Sequence, residues 1–79
     1  MAKVTLRIGI DHEDDGRVLV AVVSRGWSGV AAYGRDVAEA VRNARRLVRC
    51  IVADRCRHQE RVPGLVQDGR KRLAVIFIV

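Results

Sequence analysis

Four arginines, Arg42, Arg45, Arg46 and Arg49, fall within eight residues. Each guanidinium is a planar fork of donors that suits phosphate or carboxylate oxygens, so the row could hold an anionic partner. Asp11, Glu13, Asp14 and Asp15 concentrate the opposite sign in one short stretch and could meet a basic protein surface. Asp11 and Glu39 could begin a two-metal nuclease site. That chemistry needs further carboxylates converging from other strands, and the C-terminal LAVIFIV offers none. Cys50, Cys56 and His58 lack the C-x₂₋₄-C spacing of a zinc site, and on a helix the two thiols would point about 120° apart. His12 has no nucleophile beside it. We expect no catalytic residue, no metal and no cofactor, so the protein is not expected to be an enzyme; the chemistry on offer is binding.

These groups must be positioned by a small number of elements. KVTLRIGI alternates, with Val4, Leu6, Ile8 and Ile10 on one side and Lys3, Thr5, Arg7 and Gly9 on the other, which predicts a half-buried strand. Asp15-Gly16 then marks a hairpin turn. RVLVAVVS is a second strand, apolar on both faces, and VAAY a short third strand ending at Gly34. Asp36 stands three residues before Glu39, the spacing of a helix-capping box. Val37, Ala40, Val41, Ala44, Leu47, Val48, Ile51 and Val52 follow at helical spacing, on an arc of roughly 140°. Arg55 returns to the middle of that stripe, so the helix should end near Ala53 or run past the sheet there. The four arginines occupy an arc of about 100° on the opposite, wet side. The stretch from Asp54 to Gly69 reads as a charged connection, with Leu65-Val66 as the first arm of a hairpin turning at Asp68-Gly69. RLAVIFIV is the last strand.

The expected fold is one α+β domain spanning residues 1–79 in a two-layer β-β-β-α-β order. Three strands form an antiparallel meander, one helix covers one face, and the last strand returns beside the first, parallel to it, by a right-handed crossover. The second face keeps Leu19, Ala21 and Val23 together with Ala74, Ile76 and Ile78. Burying each large aliphatic side chain is worth roughly 1.5–3 kcal/mol, and so small a domain has little stability to spare. Those six residues are therefore the candidate interface for self-association, as a homodimer or larger; the competing expectation puts them under the connection before the last strand.

Fifteen basic and nine acidic residues give a net charge of +6. Charge of that size favours an anionic partner. However, only Lys3 and Lys71 are lysines, and GC-rich codons alone produce a chain rich in Arg, Val and Ala. Trp27, Tyr33 and Phe77 are too few aromatics for stacking single-stranded bases. Two cysteines make no disulfide framework, the start is not a signal peptide, and no apolar run approaches the ~18 residues of a membrane span. A cytoplasmic protein with no membrane partner is expected.

The segment from Gly29 to Ala44 resembles the HicB antitoxin family: two glycines flanking a short strand, a capping residue, then a helix opening with Glu39-Ala40 and Asn43-Ala44. Asp36 stands where the family has a capping threonine, and Ser28-Gly29 where it usually has Pro-Gly. The alternating strands before, and Val62-Pro63 before the last strand, also fit. Gly29 and Gly34 are expected to supply backbone angles closed to other residues, and Ala40 and Ala44 to let the helix lie close on the sheet. The resemblance implies a partial RNase H-like fold, self-association, and inhibition of a small RNA-cleaving HicA-like toxin by protein contact. The C-terminal DNA-binding domain that many members carry has no counterpart in these residues. Such toxins tend to be basic, so the candidate toxin contact is the acidic turn, Asp11, Glu13, Asp14 and Asp15.

Two readings follow. The first is a HicB-like antitoxin module, or an orphan relative of one. The second is a small basic nucleic-acid-binding module using Arg42, Arg45, Arg46 and Arg49.

Overall fold

The computed structural model describes residues 2–67 and 72–79. The elements are β1 (Ala2–His12), β2 (Val18–Val22), β3 (Ala31–Gly34), α1 (Val37–Arg57), β4 (Leu65–Gln67) and β5 (Leu73–Ile78). The order is the expected one, and the arm expected at Leu65-Val66 is the three-residue strand β4.

Alternation decides which side of each strand is dry. Val4, Leu6 and Ile8 of β1 and Val18, Val20 and Val22 of β2 are buried beneath the helix, while Lys3, Thr5 and Arg7 face outward. β1 and β2 are antiparallel, from Ile8↔Val22 to His12↔Val18, and β3 runs antiparallel to β2, from Val18↔Gly34 to Ala21↔Ala31. β5 lies beside β1 and parallel to it, from Ala2↔Leu73 to Arg7↔Ile78, as the strand pattern predicts.

Peptide orientation assigns the edges of β1. The Arg7 carbonyl accepts from Val23 N–H on the β2 side, whereas Ala2 N–H donates to the Arg72 carbonyl on the β5 side. Odd-numbered peptides of β1 therefore face β2 and even-numbered ones face β5. β4 pairs antiparallel with Ala2–Val4 and must take the β2 edge, where β2 has already ended. This corrects the hairpin expectation: Leu65-Val66 pairs with β1, across that strand from β5. Asp68-Gly69 lies outside the described residues.

The helix begins as its cap dictates. Asp36 Oδ1 accepts from Glu39 N–H at 2.8 Å. Glu39 Oε1 accepts from the N–H of Arg35, one residue before the cap, at 3.0 Å. Ala40, Ala44, Val48 and Val52 are the buried line of the stripe. Gly34 is needed for a reason other than the expected one. Its φ is not positive, but a Cβ there would lie 2.3 Å from the Ala40 backbone nitrogen. The missing side chain is what lets the first helical turn sit on the end of β3. Gly29, at φ +86°, does adopt the left-handed conformation.

The helix runs four residues beyond Ala53, to Arg57, because the stripe arginine has found a use there. Arg55 lies over the Trp27 ring, 5.8 Å from its centroid, and reaches toward the Arg61 carbonyl. The chain then leaves through a Schellman turn. Glu60 N–H bonds the Arg55 carbonyl, Gln59 N–H bonds the Cys56 carbonyl, and Gln59 takes φ +57°.

Candidate interaction surfaces

The outer face of the sheet, away from α1, carries the six candidate interface residues. Leu19 and Ala21 are half-buried, and Val23 is 58% exposed. On β5, Ala74 is half-buried while Ile76 and Ile78 are 41% and 48% exposed. The described part of the connection before β5 does not cover them; its buried residue, Val62, joins the core on the helix side. The two apolar rows are not contiguous. β1 runs between them, and its outward residues are Lys3, Thr5, Arg7, Gly9 and Asp11. Gly9 opposes Ala21, which opposes Ala31, so a shallow row of small residues crosses the sheet. A hollow of about 240 Å³ opens beside it, lined by Gly9, Ile10, Asp11, Leu19 and Ala21.

The acidic turn is divided by the fold. Asp11 still belongs to β1 and lies on the outer face opposite Leu19. Asp15 is tied to Arg17: its Oδ1 accepts from the Arg17 backbone N–H at 3.1 Å, and its Oδ2 from Arg17 Nε at 2.7 Å. The backbone bond first, and the guanidinium beside it, hold the Asp15 carboxyl below its ordinary value. The same guanidinium stacks over Tyr33, 4.4 Å from the ring centroid. Glu13 is half-buried and Asp14 exposed. Glu39 cannot join Asp11. Asp11 is on the outer face, whereas Glu39 stands at the helix start, where the Arg35 guanidinium bonds it at 2.9 Å and lowers its pKa.

The arginine row splits in two. Arg45 lies over Phe77 at 5.3 Å, and Arg49 Nη1 donates to the Leu73 carbonyl at 3.0 Å. Both Phe77 and Leu73 belong to β5, whose odd-numbered peptides face the free edge of the sheet, by the same alternation that turns Arg72 toward β1. An unguarded apolar edge strand is a template for pairing with other chains, and charge placed on it blocks that. Arg42 and Arg46 are exposed and make no hydrogen bond or ion pair among the described residues. Cys50 and Cys56 are exposed free thiols.

Two features carried no legible signal. Trp27, 1% exposed, is the largest buried side chain, and its Nε1–H donates to the Pro63 carbonyl at 2.9 Å. Gly26 supports this clasp: it has φ +86°, and a Cβ on it would lie 2.6 Å from Pro63 Cγ. The placement of tryptophan, glycine and proline at such distant positions has no periodicity to reveal it. Only the need of a buried indole N–H for an acceptor hints at a partner.

Set against known proteins, the chain matches no family model, no curated protein and no solved structure. No described helix is long and apolar enough to cross a membrane.

Proposed function

We propose that this chain is a non-enzymatic, HicB-like antitoxin-type module that self-associates through the outer face of its sheet and binds a small, basic, RNA-cleaving HicA-like protein. The observation that carries the reading is the outer face itself, where Val23, Ile76 and Ile78 stand 58%, 41% and 48% exposed in a protein of only 79 residues. Supporting it are the strand order and the parallel return of β5 beside β1, which are compatible with the α+β fold that the resemblance implies. Glu13 and Asp14 are the carboxylates of the turn left without a side-chain partner among the described residues, and they are the contact proposed for the basic protein.

The test is an RNA-cleavage assay. A HicA-like ribonuclease is titrated with this protein, and inhibition at a fixed stoichiometry is expected. Glu13→Lys with Asp14→Lys should relieve it, while Arg42→Glu with Arg46→Glu should not. Direct RNA or DNA binding that falls steeply with salt and is lost in the arginine variant would instead establish the nucleic-acid reading.

A further inference from the structure

The outer face is ordered in charge as well as apolar. Along β1 the outward residues run Lys3, Thr5, Arg7, Gly9, Asp11, so positive charge lies on one side of Gly9 and negative on the other. Across the sheet, Arg7 lies level with Val23 and with Ile78, and Asp11 lies level with Leu19. The row Gly9, Ala21, Ala31 sits midway between these levels.

We infer that a second copy of this chain packs on this face about a two-fold axis that lies between the sheets and runs across the strands, over the Gly9–Ala21–Ala31 row. The inference rests on the self-association reading and specifies its geometry. Rotation about that axis exchanges the two levels. Arg7 of each copy is carried over Asp11 of the other, and Val23 over Leu19. Ile78, level with Arg7, is carried to the free edge of the other copy's β1 at Asp11, beside the hollow lined by Gly9, Ile10 and Leu19. That edge is free because β5 pairs with β1 only as far as Arg7. An axis running along the strands over β1 would set Arg7 against Arg7 and Asp11 against Asp11 instead. A two-fold interface must be complementary to itself, and only the crosswise axis makes the charges so. The same contact uses Asp11 and leaves Glu13 and Asp14 free for another partner.

Charge reversal distinguishes this geometry from others. Dimer dissociation constants are measured by sedimentation equilibrium at low and at physiological salt. Arg7→Glu and Asp11→Arg are each expected to weaken the dimer at least ~10-fold, and the two together to restore it to within ~3-fold of the original. Circular dichroism confirms that each variant is folded; both side chains are exposed. A second measurement does not depend on those variants. With Cys50 and Cys56 changed to serine, Ala21→Cys lies near its own symmetry mate and should be linked by a short bis-maleimide. Ala74→Cys, level with Lys3 and far from the axis, should not. A dimer indifferent to both reversals, or linked through position 74 and not 21, overturns this geometry and leaves self-association standing. A chain that stays monomeric at high concentration overturns both.

Discussion

Replacing Gly34 with alanine separates close packing from backbone freedom as the reason for a glycine. The added methyl carbon would lie 2.3 Å from the Ala40 nitrogen, 2.8 Å from its Cα and 2.8 Å from the Glu39 carbonyl carbon. All three are backbone atoms, so no side chain can swing aside; the first turn of α1 must lift from β3. Overpacking of this kind costs about 1–3 kcal/mol, and backbone neighbours place Gly34 at the upper end. Because φ is not positive there, alanine also stiffens the unfolded chain, which returns about 0.4–1 kcal/mol. The expected net loss is about 2 kcal/mol, a fall in melting temperature of roughly 8–16 °C for a domain of this size. Gly29 is the control. It has φ +86° but nothing within 4 Å of a Cβ, so Gly29→Ala should cost only the left-handed conformation, about 1 kcal/mol. Urea and thermal unfolding of both variants provide the comparison. If Gly34→Ala is as stable as the parent, or loses less than Gly29→Ala, the close approach of helix and strand is wrong.

Three further outcomes are expected. Gln59 holds φ +57° at the end of α1, so Gln59→Gly should stabilise the protein by about 0.5–1 kcal/mol in thermal unfolding, and a loss of stability would contradict the turn. Arg35 holds the Glu39 carboxyl below its ordinary value of 4.5, so this pair adds stability above that pH and loses it as pH falls through the lowered value. Melting temperatures taken from pH 6 downward should therefore decline from about 4.5, less steeply in Glu39→Gln. Removing the guard on β5 with Arg45→Ser and Arg49→Ser should promote aggregation, read by light scattering, with little change in the helical circular dichroism signal; unchanged solubility would mean that these arginines do not protect the edge.

Much of the architecture was legible because it obeys short periods. Val4, Leu6 and Ile8 alternate, Ala40, Ala44, Val48 and Val52 recur on one helix face, and Asp36 with Glu39 marks where that helix begins. The parallel return of β5 followed from one helix joining two apolar strands. What escaped has no local pattern. The extended arm at Leu65-Val66 was expected but its partner was not: β4 pairs with β1 because β1 is longer than β2 and leaves part of its edge free. The extension of α1 past Ala53 was one of two expected outcomes, and the contact that accompanies it, Arg55 over Trp27, joins residues distant in sequence. Gly34 was recognised as required, but its reason lies in the nearness of Ala40, which spacing cannot report. The six outer-face residues were legible as apolar and the place of β1 between them was expected, whereas the register that sets Arg7 level with Val23 and Ile78, and Asp11 level with Leu19, was not.

The claim on which most depends is that the outer face is buried by a second copy. Sedimentation equilibrium of the parent beside Ala21→Glu tests it most directly. A folded dimer at tens of micromolar, dissociated by a charge placed at the centre of the face, is the expected result. A parent that sediments as a monomer at that concentration, or a dimer that tolerates Ala21→Glu unchanged, would contradict it.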